Sequence, residues 1–295
     1  MTLFSGAGVA LVTPFKDGLV DYERLGALID WQIDEGIDAI ISCGTTGEAS
    51  TLKDDEHVEA VRFTAERSKG KVPVIAGAGS NDTDHAVWMS KALEAAGADG
   101  LLLVTPYYNK CTQKGLIQHY TMIADSVNIP CILYSVASRT GVNITPATVA
   151  ELSKHPNIVG IKEASGNMSQ VVEIAKYVSD DFALYSGNDD MIVPLLSVGS
   201  IGAISTVANI APKDTHEMIH AYLTGDVKKS MQMQLSMKSL IDAMFIEVNP
   251  IPVKAALNMM GYVEREYRLP LCEPDNKTLF QIASELKNYG LLKSK

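Results

Sequence analysis

The sequence has no long apolar run and no excess of positive charge, and these two absences narrow its possible functions. No stretch approaches the roughly 18 apolar residues of a membrane span, and residues 1–12 lack the positive start of a secretory signal. The 35 Asp and Glu outnumber the 25 Lys and Arg, which gives a formal net charge of -10 without any basic stripe. We therefore expect a cytoplasmic protein that binds neither nucleic acid nor membrane.

Cysteine is scarce, and several familiar catalytic motifs are missing. The four cysteines lie far apart with no C-x-x-C or histidine-paired spacing, so neither a disulfide framework nor a zinc site is indicated. The sequence also lacks G-x-S-x-G, H-E-x-x-H and a P-loop. These absences argue against the corresponding serine hydrolases, zinc proteases and nucleotide-phosphate enzymes.

What the sequence does have is a rhythm of eight short apolar runs that alternate with amphipathic stretches. The runs cover residues 7–15, 37–48, 72–80, 99–108, 130–139, 158–165, 182–189 and 201–209. This alternation is typical of a parallel sheet with helical crossovers, and eight units predict an α/β fold of the (β/α)₈ TIM-barrel type. The alternative is a doubly wound open sheet, although the glycine-rich fingerprint usual after its first strand is replaced here by "LVTPFKDG".

The strand signal stops near residue 226, and three helical stretches follow it. We therefore divide the chain into a catalytic barrel, residues 1–226, and a C-terminal helical region, residues 227–295. Lys254 lies among apolar residues of the second of these helices, in "PIPVKAAL", and we interpret it as structural.

Lys162 stands inside the apolar run "NIVGIKEAS", where an ammonium is costly to bury. A lysine at this place either reaches the open end of the strand or has a lowered pKa, and both situations suit a nucleophilic amine. The alternative is a structural lysine whose stem lies along the strand while its head reaches water or pairs with Glu163.

Other polar residues also follow the strands, at the end of the barrel where active sites form. The glycines around Thr45 and Thr46 would let backbone N–H groups approach a small carboxylate, although a plain helix-capping turn is the alternative. Arg139 could bind a second carboxylate with two hydrogen bonds or could pair with a loop acid. His57, on the polar face of the second helix, is expected to be solvated.

Three phenols, Tyr107, Tyr108 and Tyr134, could relay a proton, or each could be an ordinary residue of the barrel rim. An amine in an apolar barrel mouth, phenols for proton transfer and separate donors for carboxylates together favour Schiff-base catalysis on a 2-oxo acid.

Five motifs then carry a family resemblance over about residues 4–292. They are "GTTGE" at 44–48, "VTPYYN" at 104–109, "SRTG" at 138–141, "GIKEASGN" at 160–167 and "NPIPVK" at 249–254. With these motifs the sequence resembles the dihydrodipicolinate synthase family, within the wider family of pyruvate-dependent lyases that includes N-acetylneuraminate lyase.

The resemblance implies a (β/α)₈ barrel with a C-terminal helical region, assembled as a homotetramer of tight dimers. It implies condensation of pyruvate with L-aspartate 4-semialdehyde in the diaminopimelate route to lysine, without a metal or an organic cofactor. Lys162 would form the imine with pyruvate, and Thr45, Tyr134 and Tyr108 would form a proton relay. Tyr108 is expected to reach into the neighbouring subunit of the tight dimer.

The same resemblance assigns the binding residues. Thr46 and the adjacent backbone would hold the pyruvate carboxylate, Arg139 would receive the carboxylate of the semialdehyde, and Gly187 and Ile204 would line the pyruvate pocket. Two positions depart from the pattern, because Ser135 and Ala137 stand where the family commonly has Asn and Pro. This departure bears on how the strand-5 loop presents Arg139.

Two other functions stay open. A sister lyase for N-acetylneuraminate or a 2-oxo-3-deoxy sugar acid would share the lysine, the tyrosine and the barrel, but a polyol substrate would favour hydroxyl and amide donors over Arg139. A non-enzymatic barrel that senses a 2-oxo acid would leave the lysine, threonines and tyrosines together unexplained.

Feedback by L-lysine is the last expectation. The residues that match lysine-sensitive members of the family are His57, Asn81 and Tyr107. Ala49 replaces a serine, Asp54 replaces a histidine, and His85 stands where a glutamate would pair with the effector's ammonium. Loss of that carboxylate removes a charge-assisted contact, so the sequence predicts weak or absent inhibition by L-lysine.

Overall fold

A closed barrel of eight parallel strands forms the centre of the molecule in a computed structural model that describes residues 2–292. The strands are β1 Gly6–Ala10, β2 Ala39–Ser42, β3 Val74–Gly77, β4 Gly100–Val104, β5 Cys131–Ser135, β6 Ile158–Glu163, β7 Ala183–Ser186 and β8 Gly202–Ser205. Each strand pairs with the next one, and β8 closes on β1. The predicted TIM barrel is therefore confirmed, and each of the eight predicted runs overlaps one strand of the barrel.

Twelve helices accompany the strands in the described part of the chain. They are α1 Tyr22–Asp34, α2 Asp54–Ser68, α3 Thr83–Ala95, α4 Gln113–Asp125, α5 Ala137–Thr140, α6 Pro146–Leu152, α7 Met168–Ala175, α8 Ile192–Leu196, α9 Pro212–Leu223, α10 Val227–Ala243, α11 Ile251–Met259 and α12 Asn276–Tyr289. No helix within residues 2–292 is long and apolar enough to cross a membrane.

The helix boundaries follow local signals in the sequence. Asp21 caps α1 by accepting the backbone N–H of Arg24, and Asp82 caps α3 by accepting that of Asp84. Both helices are followed by a glycine with positive φ, which ends the helix where a side chain would be strained.

Two apolar layers hold the barrel together. The inner layer fills the barrel with inward-facing side chains such as Ile41, Ile75 and Leu102, and the outer layer packs the opposite strand faces against the helices. Because strand residues alternate between the two layers, each strand is buried on both faces and reads as a continuous apolar run.

The C-terminal helices pack onto the barrel instead of standing apart from it. Helix α10 lies against α9, and α12 lies against both α10 and α11. The division at residues 226 and 227 stays a prediction. A short hairpin, Phe15–Lys16 with Leu19–Val20, was not predicted from the sequence, because each of its strands has only two residues.

Candidate active site

A cavity of about 450 Å³ opens at the C-terminal ends of the barrel strands. This is the end of the barrel at which the polar strand-end residues were expected to meet. The residues around it include Thr45, Ser80, Val104, Tyr107, Tyr134 and Arg139.

Lys162 lies on β6, one residue before the strand ends, and only 6% of it is exposed. In the sheet register it stands between Tyr134 on β5 and Tyr185 on β7. Its Nζ lies 4.3 Å from the centroid of the Tyr134 ring. The amine therefore lies against the ring of Tyr134, which itself lines the cavity.

Glu163, the next residue, makes its hydrogen bonds elsewhere. Its carboxylate accepts the backbone N–H of Ser165 at 2.7 Å and an amide N–H of Gln170 at 3.3 Å. Burial raises the pKa of Glu163, and these hydrogen bonds oppose the increase. The structural alternative, in which Lys162 pairs with Glu163, has no support in this geometry.

Gly187 follows β7, and its lack of a side chain leaves space for the side chain of Lys162. A Cβ at Gly187 would lie 3.1 Å from Cε of Lys162 and 2.7 Å from Cβ of Ala164, which is too close for most side chains. Ile204 lies on β8 and is buried in the inner apolar layer. Neither residue is among those that line the cavity, and their place in a pyruvate pocket stays a prediction.

The loop after β2 carries both threonines. Thr45 lines the cavity, and Thr46 is buried with its Oγ1 accepting an amide N–H of Asn249 at 2.9 Å. Two non-glycine residues in this segment, Cys43 and Glu48, have positive φ values of 52° and 55°. The close turn is consistent with a backbone shaped to approach a ligand.

Arg139 lies on the one-turn helix α5 that follows β5, and it lines the cavity. Its Nη2 donates to the backbone carbonyl of Asn249 at 2.9 Å, so this contact replaces the loop acid considered as an alternative. Ser135 and Ala137 do not disrupt the loop. The Ser135 hydroxyl donates to Oδ1 of Asn143 at 3.3 Å, and Ala137 begins the helix.

Asn249 is a site residue that the analysis of the sequence missed. It touches both Thr46, through its side chain, and Arg139, through its carbonyl. Its only signal in the sequence is its place at the start of "NPIPVK", one of the motifs that carry the resemblance.

Lys254 contacts the loop after β2 through a buried ion pair, which is consistent with the structural role expected of it. It is completely buried on α11, and its Nζ lies 2.6 Å from Oε1 of Glu48 in a fully buried ion pair. Burial lowers the pKa of Lys254, and the Glu48 carboxylate opposes that change. The rings of Phe15 and Tyr267 lie 4.3 and 5.3 Å from the ammonium. The pair ties the threonine loop to the C-terminal helices.

Asp189 is the second residue that was missed. It is buried after β7, and its Oδ2 accepts the backbone N–H groups of Thr206 and Val207 at 3.1 and 3.0 Å. Its Oδ1 has no hydrogen-bond partner among residues 2–292. Burial raises the pKa of Asp189, while hydrogen bonds from Ser205 and from the Val207 and Thr206 backbone, and then the charge of Lys162, oppose the increase. Asp189 is therefore a buried carboxylate close to the Lys162 amine.

Tyr108 does not join Tyr134 and Thr45 within one chain. It has a φ of 72°, is 92% exposed and does not line the cavity, whereas Tyr107 does. Its expected reach into a neighbouring subunit stays a prediction.

The expectation that His57 is solvated was wrong. His57 lies on the inner face of α2, and burial lowers its pKa to about 4, against the effect of the Gly77 backbone. The polar pattern of the helix did not reveal this burial, because His57 faces the cavity, where a neutral imidazole is tolerated.

His85 and Asp54, which also line the cavity, contact each other: Nε2 of His85 lies 3.1 Å from Oδ1 of Asp54.

Comparison with known proteins places these features in a family. The chain is 55% identical over 294 residues to the 4-hydroxy-tetrahydrodipicolinate synthase of Thermoanaerobacter sp. (strain X514), and the match covers 99% of each chain. The solved dihydrodipicolinate synthase of Thermotoga maritima has a TM-score of 0.97 and 44% identity, over 99% of this chain and 100% of that chain.

A second solved structure, the Acinetobacter baumannii dihydrodipicolinate synthase in complex with pyruvate, has a TM-score of 0.96 and 41% identity. It covers 99% of this chain and 100% of its own. The model of the dihydrodipicolinate synthetase family matches residues 3–289. This protein therefore belongs to the dihydrodipicolinate synthetase family.

Proposed function

We propose that the protein condenses pyruvate with L-aspartate 4-semialdehyde to give 4-hydroxy-tetrahydrodipicolinate, in lysine biosynthesis through diaminopimelate. Family membership and the activity named for its 55% identical relative support this function. The observation that carries the proposal is the Lys162 amine, buried at the barrel mouth against the Tyr134 ring.

The reaction follows from an amine in such a place. Neutral Lys162 attacks the ketone carbon of pyruvate, and water leaves to give an imine. The protonated imine withdraws electrons, so a methyl proton is lost and an enamine forms. The enamine carbon attacks the aldehyde of the second substrate and makes the new carbon–carbon bond. The amine of that substrate then attacks the imine carbon, closes the ring and releases Lys162.

Proton transfer is assigned to Tyr134, Thr45 and Tyr108. Tyr134 contacts the Lys162 amine through its ring and lines the cavity with Thr45, which supports the first two members of the relay. The exposure of Tyr108 is consistent with a role in the site of a second subunit, within a homotetramer of tight dimers.

Substrate binding is assigned to the donors around the cavity. Thr46 and its backbone would hold the pyruvate carboxylate, and the Arg139 guanidinium would hold the carboxylate of the semialdehyde. Gly187 and Ile204 would line the pyruvate pocket beside Lys162.

We also propose that the protein is located in the cytoplasm. We propose in addition that the chain divides into a catalytic barrel, residues 1–226, and a C-terminal helical region, residues 227–295.

The test is a substrate panel. Purified protein is incubated with pyruvate and L-aspartate 4-semialdehyde, and separately with N-acetylneuraminate and with 2-oxo-3-deoxy sugar acids, while products are followed by mass spectrometry. We expect turnover only of the first pair. Cleavage of a sugar acid instead would identify a sister lyase, and pyruvate binding without any turnover would favour the sensor.

A further inference from the structure

A cluster of Asp38, His216 and His220 lies at the end of the barrel opposite the cavity. Asp38 directly precedes β2, and the two histidines are four residues apart on α9, so that they share one helix face. One ligating atom from each of the three side chains lies within 4.8 Å of the other two. It is the only such group of three metal-binding side chains found within residues 2–292.

The contacts within the cluster bring the three groups to one point. Nδ1 of His216 lies 2.9 Å from Oδ2 of Asp38, and Nε2 of His220 lies 3.2 Å from Oδ1. The two imidazole rings stack with centroids 4.0 Å apart. The backbone N–H of Ala7 also donates to Oδ2 of Asp38, at 2.7 Å. The carboxylate is thus fixed from one side while both imidazoles face it from the other.

Gly6 provides the space for this arrangement. Its φ is 113°, and a Cβ at this position would lie 2.1 Å from Oδ2 of Asp38 and 3.0 Å from Nε2 of His220. A side chain at Gly6 would therefore displace both groups. The three side chains are partly exposed, so an ion can reach them from solvent.

We propose that Asp38, His216 and His220 bind one divalent transition-metal ion of the zinc, cobalt and nickel class. Two imidazole nitrogens with one carboxylate are a ligand set suited to these ions, whereas magnesium and calcium prefer oxygen ligands. Water would complete the coordination. The ion takes no part in the reaction, because the cluster and the catalytic lysine lie at opposite ends of the barrel.

The bound ion would link the start of β2 to α9, near the place where β8 pairs with β1 and closes the barrel. Strand β1 pairs there with β2 and β8, Asp38 leads into β2, and α9 follows β8. An ion held between Asp38 and α9 adds a link there that the unfolded chain lacks. Binding to the folded state alone raises its stability by mass action.

Calorimetric titration of the full chain tests the site. Chelator-treated protein carrying Cys272→Ser, which removes an exposed thiol that could bind zinc, is titrated with Zn²⁺ and with Mg²⁺. The same titration is made with His216→Ala and with His220→Ala. His155→Ala is the matched control, because His155 makes a 3.1 Å contact with Asp125 but has no second histidine beside it.

We expect one Zn²⁺ per chain, no binding of Mg²⁺, and affinity at least tenfold weaker in each of the two α9 variants but unchanged in His155→Ala. Zn²⁺ should also raise the thermal midpoint of the parent and of His155→Ala only. No saturable Zn²⁺ binding by the parent, or binding by both α9 variants as tight as that of the parent, would overturn the site. If the circular-dichroism spectrum shows that an alanine variant does not fold, the glutamine variant at the same position, His216→Gln or His220→Gln, is titrated in its place. The same tenfold loss of Zn²⁺ affinity is then expected.

Discussion

At the residue scale, two buried lysines have opposite surroundings. Lys254 is matched by the Glu48 carboxylate at 2.6 Å, whereas Nζ of Lys162 faces the Tyr134 ring. A lysine whose amine is engaged in a buried ion pair is a poor nucleophile, whereas Lys162 forms no ion pair with any residue of the described chain. Lys254 therefore serves as an internal control for the chemistry of Lys162.

Borohydride reduction in the presence of pyruvate should attach a stable adduct to Lys162 and none to Lys254, because reduction converts a transient imine into an amine. Peptide mapping by mass spectrometry locates the adduct. Lys162→Ala should lose the adduct and nearly all turnover while keeping its thermal midpoint. An adduct on Lys254, or none on the chain, would contradict the mechanism.

Arg139→Ala should raise the KM for the semialdehyde far more than the KM for pyruvate. A charge-assisted contact is worth about 1.5 to 3 kcal/mol, which corresponds to roughly tenfold to more than hundredfold. Initial rates with each substrate varied in turn give the two constants, and Arg139→Lys serves as the charge-retaining comparison. Equal increases in both constants would mean that Arg139 only supports the loop through its contact with Asn249.

At the scale of elements, helix α11 and the loop after β2 act as one unit. The Asn249 amide donates to Thr46, and the Lys254–Glu48 pair is buried without any exposed surface. These contacts connect segments about two hundred residues apart in the chain, so that the C-terminal region supports the loop that carries Thr45 and Thr46.

Lys254→Met should destabilise the fold by about 3 to 5 kcal/mol, because it leaves the Glu48 charge buried without a partner. Adding Glu48→Gln to it should recover part of that loss. Chemical denaturation measures the free energy of unfolding of each variant. The control is Lys238→Met on α10, since Lys238 makes a 2.6 Å pair with Asp242 that is exposed to solvent, and its loss should change little. An equally small effect at Lys254 would show that the buried pair is dispensable.

At the scale of the whole molecule, the position of Tyr108 predicts that a single chain has an incomplete site. The phenol is almost wholly exposed, away from the cavity that holds Tyr134 and Thr45. A symmetric dimer could bring it to the second cavity, because each interface contact occurs twice in such a pair.

Co-expression of Tyr108→Phe with Lys162→Ala should therefore restore activity that neither variant has alone. In a hybrid dimer, one site would receive Lys162 from one chain and Tyr108 from the other. The control is Arg139→Ala with Lys162→Ala, two residues that the proposed mechanism takes from the same chain, which should not complement each other. No recovery in the Tyr108 hybrid would place the phenol outside the shared site.

L-Lysine should inhibit weakly or not at all. Asp54, which could replace the missing carboxylate, has Oδ1 in a 3.1 Å contact with Nε2 of His85 and so competes for that contact with an added ammonium, and His57 is an imidazole, which supplies no negative charge. Titration of L-lysine into the condensation assay measures this, with His85→Glu as the variant expected to gain sensitivity. Strong inhibition of the parent at sub-millimolar concentration would contradict the prediction.

The sequence alone determined the barrel, because each strand is buried on both faces and each crossover helix has its own caps. It also indicated Lys162, since an amine in an apolar run is unusual wherever that run lies. Local sequence could not place His57, because the face that a helix buries depends on what packs against it.

Only the tertiary structure decided the long-range contacts. Asn249 meets Thr46 across 203 positions of the chain, and His216 meets Asp38 across 178. Neither the amide nor the histidines stand out in their own segments, because their partners arrive only when the barrel closes. The sequence therefore specified which elements form and which amine is unusual, while closure of the barrel determined which side chains share a site.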